Sequence, residues 1–200
     1  MAKLESSFKN MLISLFGVTL IASATLGIVN DATIEPISKA ALEKQTKAIA
    51  SVLPAFDQLG VPKKLLPTDG KDSIVIFPAL NANGEIIGNA IKSYTYKGFS
   101  GYIEVMVGID KDGIVSGYQV LKHAETPGLG SKMAVWFNNP EKPNQNIIGR
   151  SLANESLSVS KDGGNIDAIT AATISSRAFL DAINRANNVI TKSDNSTQNE

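Results

Sequence analysis

The stretch DAITAATISSRAFLDAINRANNVI, Asp167 to Ile190, decides what the C-terminal half of this chain is built around. From Ile174 onward, Ile174, Ala178, Ala182, Ala186 and Ile190 recur every four residues, and Phe179, Ile183 and Val189 widen the stripe. That period puts the apolar side chains on one helical face, so the segment predicts an amphipathic helix packed on a core. Asp167, Thr170 and Thr173 stand ahead of it, each able to accept a bond from the unpaired N–H groups of a first helical turn. The helix is therefore expected to start around Thr170. Its free N–H groups and the positive end of its macrodipole favour an anion, and the small Ala171 and Ala172 leave room for one to approach. On spacing alone, an Asp or Thr before a helix is usually only a cap, with no ligand.

Upstream, Asp162-Gly163-Gly164-Asn165 reads as a turn. Before it lies HAETPGLGSKM, His123 to Met133, in which Pro127 stiffens a loop, Gly128 and Gly130 permit close backbone approach, and Leu129 offers apolar surface to a flat ligand. Ser131 to Phe137 is helix-prone, with Trp136 expected in the core. Tyr102 to Ile109, the turn Asp110-Lys111-Asp112-Gly113 and Ile114 to Lys122 form the clearest hairpin, rich in β-branched and aromatic residues. The Asp-Lys-Asp-Gly turn lacks the further oxygen ligands and closing Glu of a calcium loop, so it reads as a turn. Ser73 to Leu80 predicts a strand, and Asn81 to Gly84 a turn into a short second strand over residues 85–87.

At the N-terminal end, MLISLFGVTLIASATLGIV, Met11 to Val29, is a run of nineteen uncharged residues. As a helix it spans about 28 Å, close to the hydrocarbon thickness of a bilayer. Lys3 and Lys9 precede it against Glu5, and Asp31 and Glu35 follow, which orients the N-terminus to the cytoplasm and the rest outward. A cleaved signal peptide with Ala22-Ser23-Ala24 as its processing site is the competing reading, weakened because the apolar run continues through Leu26, Ile28 and Val29. Thr19, Ser23 and Gly27 lie four apart, a spacing that lets membrane helices approach, although small residues are common in such helices anyway. Ile34 to Leu53 has amphipathic helical spacing and is expected to end at Pro54.

Nineteen Lys+Arg balance nineteen Asp+Glu, with no basic stripe interleaved with aromatics, which argues against nucleic acid as a partner. The absence of cysteine excludes disulfides, thiolate nucleophiles, cysteine-held iron–sulfur clusters and cysteinyl flavin links. A single histidine, His123, cannot form a multi-histidine metal site, so no bound metal and no catalytic acid, base or nucleophile is expected.

Asp167-Ala168-Ile169-Thr170-Ala171-Ala172-Thr173 resembles the flavinylation motif Asp-x-x-(Ser/Thr)-Gly-Ala-Thr, and Glu125-Thr126-Pro127-Gly128-Leu129-Gly130 resembles a loop of the same FMN-binding domain family. The resemblance implies FMN esterified through its phosphate to Thr173, with Asp167, Thr170 and Ala172 completing the motif and residues 125–130 lining the isoalloxazine. Ala171 stands where the family usually has Gly, which strains the chain if that residue needs a positive φ and suits it if the residue is helical. The layout resembles the G subunits of Rnf-type ion-translocating electron-transport complexes; the C subunits of Na⁺-translocating NADH:quinone reductases share the motifs but are typically longer. A third reading is a tethered binding or assembly module without cofactor. The family implies a separate flavin transferase that uses FAD and Mg²⁺, and other complex subunits as partners at the bacterial inner membrane, with electrons passing between ferredoxin and NAD. The expected architecture is α+β: a cytoplasmic N-terminus over 1–10, one transmembrane helix over 11–30, a connecting helix and the first part of an extracytoplasmic domain over 31–97, an FMN-binding domain of antiparallel hairpins and packed helices over 98–191, and a disordered tail over 192–200.

Overall fold

The structure, a computed structural model, describes residues 7–67, 71–153 and 156–197. The chain divides into two compact units, Met1–Lys44 and Gln45–Glu200. Helix α1 (Phe8–Val52) is 45 residues long and carries Pro36 inside it, so the membrane stretch and the expected connecting helix form one element. One segment of it is long and apolar enough to cross a membrane by length and composition. Within that segment Leu26 and Ile28 are exposed, as apolar side chains facing lipid would be. Thr19 and Thr25 donate back to the carbonyls of Leu15 and Ile21, both at 2.9 Å, which satisfies hydroxyls that hydrocarbon could not. The expected cytoplasmic end, residues 1–6, and the tail residues 198–200 lie outside the described residues.

The second unit is built on a six-stranded antiparallel sheet. Its strands are β1 (Gln58–Leu59), β2 (Lys63–Leu65), β3 (Ile74–Leu80), β4 (Ile86–Gly98), β5 (Gly101–Asp110) and β6 (Val115–His123). They lie in the order β1-β3-β4-β5-β6, with β2 also paired to β3. The β5–β6 hairpin turns where expected: Asp110 Oδ1 accepts from the amides of Asp112 (2.9 Å) and Ile114 (2.8 Å). The expected short strand over residues 85–87 is instead the long β4. Its polar residues hid it, because Ser93 and Thr95 point at a helix and find partners there: Ser93 Oγ donates to the carbonyl of Ala182 (2.7 Å) and Thr95 Oγ1 to Asp181 Oδ2 (2.7 Å).

That helix is α3 (Thr173–Thr197), which covers one face of the sheet. Phe179, Ala182, Ile183 and Ala186 are fully buried against Ile91, Val105, Val107 and, from the segment after β6, Met133, Phe137 and Ile147. Phe137 stacks on Phe179 with ring centroids 4.6 Å apart. Ile174, expected on the apolar stripe, is instead exposed at the helix start. The helix also runs through 192–197, where a disordered tail is expected.

The opposite face is covered by the last turns of α1: Ala48, Ile49 and Val52 pack on Val75, Phe77, Ala90 and Met106. With both faces covered, β3 is buried along nearly its whole length, which explains the unbroken apolar run of Ile74 to Leu80. Gly108 and Gly117, paired across β5 and β6, let the helix end come close: a Cβ on Gly108 would collide with the carbonyl of Val52, which also accepts from Ser116 Oγ at 2.6 Å. A short 3-10 turn, Gly130–Lys132, leads into α2 (Met133–Trp136). Trp136 is half-buried against the core, and its indole N–H donates to the carbonyl of Asp167 at 2.9 Å. The observed class is α+β, a long apolar N-terminal helix followed by an antiparallel sheet with helices.

Candidate functional site

Thr170 and Ala171 form a turn, and Ala171 is the one non-glycine residue with positive φ, at 60°, among the described residues. A left-handed residue cannot continue into a right-handed helix, so α3 begins at Thr173 rather than around Thr170. The position where the family motif carries glycine is therefore one whose backbone favours glycine. Ser176 secures the turn: its Oγ accepts from the amide of Ile169 (2.9 Å) and donates to the carbonyl of Ala172 (3.0 Å). Thr173 is thus the first residue of the helix, half-buried, at the end where backbone N–H groups lack carbonyl partners one turn earlier. Its Oγ1 lies 3.3 Å from Lys161 Nζ.

The loop after β6 approaches the same place. Glu125 is only 4% exposed. Its Oε1 accepts from the amide of Ser100 (2.9 Å), in the β4–β5 turn, and its Oε2 accepts from Ser175 Oγ in the first turn of α3. One carboxylate therefore ties a hairpin tip, a loop and a helix start together. Space for it exists because Gly98 and Gly130 have no side chains: a Cβ on Gly98 would stand 2.6 Å from Oε1, and one on Gly130 would stand 2.7 Å from Oε2. The carbonyl of Thr126 accepts from the amides of Leu129 (3.2 Å) and Ser131 (3.4 Å), and Gly128 adopts a positive φ of 76°.

Between these elements lies a cavity of about 320 Å³. It brings together Glu125, Thr126, Leu129, Gly130, Ala172 and Thr173, and adds Phe99, Ala171, Ile174 and Ser175. Pro127, Gly128, Asp167 and Thr170 do not line it. Asp167 acts from behind through its backbone, donating to the carbonyl of Asn144 (2.7 Å) and accepting from Trp136. Thr170 is exposed. Phe99, Leu129 and Ile174 are large apolar residues at 68, 40 and 48% exposure, a cluster that a flat ligand would cover. Phe99 escaped the sequence reading because nothing in its neighbours marks a hairpin tip turned toward a loop 26 residues away. Ser175 and Lys161 escaped it because each reads as ordinary helix or turn polarity.

Beyond Thr173, Arg177 grips both oxygens of Asp162, at 2.6 and 2.7 Å, and its guanidinium holds that carboxyl below the usual carboxylate range. Lys97 pairs with Asp181 at 2.6 Å. The arrangement offers a hydroxyl at a helix start, a nearby ammonium and an apolar rim, which fits a ligand with an anionic tail and a planar apolar body.

The class that this fold and cavity suggest is that of the FMN-binding domain, whose family matches residues 98–188. The match begins at Gly98, the last residue of β4, and ends within α3. Over its greater length the chain is similar to the G subunit of the ion-translocating oxidoreductase complex of Methanosarcina acetivorans, 30% identical over 88% of this chain and 90% of that protein. It is 33% identical to the G subunit from Shewanella amazonensis, over 90% of this chain and 86% of that one. It is 32% identical to the G subunit of the Na(+)-translocating ferredoxin:NAD(+) oxidoreductase complex of Acetobacterium woodii, over 85% of each. The chain belongs to this family, the G subunits of ion-translocating oxidoreductase complexes.

Proposed function

We propose that this chain is the membrane-anchored flavoprotein subunit of an ion-translocating electron-transport complex, and that it carries FMN esterified to Thr173. The observation that carries the reading is the shared cavity: Thr173 lines it together with Glu125, Thr126, Leu129 and Gly130 of the loop after β6, 43 residues away at the nearest. The FMN-binding domain match and the relatives among the G subunits support FMN and a complex of several subunits.

Thr173 would hold the phosphate, with the unpaired N–H groups of the first turn of α3 facing the charge. Ala172, with its small side chain, leaves the approach open. Phe99, Leu129 and Ile174 would cover the ring and exclude water from one side of it. Bound FMN supplies one- and two-electron transfer; the chain supplies the ester, the apolar cover and a rigid carboxylate, Glu125, that holds the walls in place.

On this reading α1 anchors the domain in the bacterial inner membrane with the N-terminus in the cytoplasm and the flavin outside, as the charges at Lys3, Lys9, Asp31 and Glu35 favour. A flavin transferase installs the FMN, and the assembled complex couples electron transfer between ferredoxin and NAD to ion movement. The test is mass spectrometry of the Thr173 peptide together with in-gel flavin fluorescence under denaturing conditions. Thr173→Ala should abolish the fluorescence and Thr170→Ala should lower it only in part. Undiminished fluorescence in Thr173→Ala would put the attachment elsewhere, and a colourless wild-type protein after co-expression with a transferase would favour a tethered module without cofactor.

A further inference from the structure

The turn Ser160–Asp162 lies against the start of α3 and is fixed there from both sides. Arg177, one helical turn beyond Thr173, binds Asp162 through two nitrogens. Gly164 follows where no side chain fits, because a Cβ would collide with the carbonyl and hydroxyl oxygens of Ser158. These contacts carry Lys161 to Thr173, with Nζ 3.3 Å from Oγ1. Among the described residues, the ion pairs close to this turn engage Arg177 and Lys97 rather than Lys161.

Charge balance gives that placement a purpose. Glu125 already holds a buried negative charge against Ser175, two residues from Thr173. A phosphodiester on Thr173 brings a second negative charge to the same helix start, and like charges this close repel unless a cation answers them. The geometry points to Lys161 as that cation: a positioning residue that holds the phosphate charge of the FMN ester on Thr173. The inference rests on the reading of Thr173 given above.

In the transfer, Thr173 Oγ1 forms a bond to the FMN-side phosphorus of FAD and the phosphoanhydride bond to the adenylate half breaks. AMP leaves with the bonding electrons, and the hydroxyl proton passes to the transferase or to solvent. Lys161 exchanges no proton. Its ammonium donates to Oγ1 beforehand and, once Oγ1 is a bridging ester oxygen, turns on its flexible stem to the charged non-bridging oxygens.

The experiment uses the full chain in detergent with a purified flavin transferase, FAD and Mg²⁺, following covalent flavin by denaturing gel and, in the loaded protein, the ³¹P resonance of the ester. Lys161→Met keeps the apolar stem and removes the charge; it should slow incorporation roughly fivefold, the upper range for an exposed ion pair, and shift the ³¹P resonance. Lys161→Arg should restore both. Lys161 is exposed, so neither change should alter the melting temperature of the unloaded protein. Wild-type rate and resonance in Lys161→Met would overturn the role of Lys161 alone. Wild-type protein that takes up no flavin at Thr173 would overturn the reading of the site and this inference with it.

Discussion

At the scale of single residues, Ala171 is the most informative side chain in the candidate site. Its φ of 60° lies in the left-handed region, where a Cβ approaches the following carbonyl and costs about 1–2 kcal/mol. Ala171→Gly removes that cost, partly offset by the extra freedom glycine gains in the unfolded chain. The substitution should therefore stabilise the domain by about 1 kcal/mol, read as a rise of roughly 2–4 °C in melting temperature. An unchanged or lower value would mean that the turn relaxes around alanine without strain. The conditional reading of this position in the sequence, strained if left-handed and favourable if helical, could not be resolved there, because φ at one residue is set by where the helix starts. That start is fixed by Ser176, which bonds both sides of the turn.

At the scale of elements, α3 does two jobs with two faces. Phe179, Ala182, Ile183 and Ala186 anchor it in the core, while its first turn presents Thr173, Ile174 and Ser175 to the cavity. Phe179→Ala removes a ring fully buried between Phe137 and Tyr118 and should cost about 3–5 kcal/mol, measured by urea unfolding of the unloaded protein. Because the helix positions the cavity wall, the same variant should also lose flavin incorporation as the fold weakens. The apolar period of α3 was legible in the sequence because a helix repeats its face every turn. The extent of β4 was not. Its inward Ser93 and Thr95 read as surface residues until α3 is seen to supply Ala182 and Asp181 as their partners.

At the scale of the whole molecule, the division after Lys44 has a direct consequence for truncation. A chain beginning at Gln45 keeps Ala48, Ile49 and Val52 on the sheet and should melt cooperatively close to the full-length value. A chain beginning at Pro54 uncovers Val75, Phe77 and Met106 and should be destabilised by several kcal/mol, since each buried Ile or Val contributes about 1.5–3 kcal/mol. Circular dichroism melts of the two truncated chains would decide this, and equal stability would show that the end of α1 adds nothing to the domain core.

The sequence by itself determined the features that repeat or that depend on neighbours along the chain: the uncharged run of Met11 to Val29, the Asp110–Gly113 hairpin turn, the amphipathic period of α3 and the two short motifs. Each is a local pattern, so composition and spacing reveal it. The tertiary structure alone decided which of these meet. It set Glu125 against Ser175 and Ser100, brought Phe99 to the rim and laid Lys161 beside Thr173, because such contacts are made by the pairing of β4 with β5 and the docking of α3 on the sheet. Residues far apart in sequence become neighbours only when the core they flank has closed.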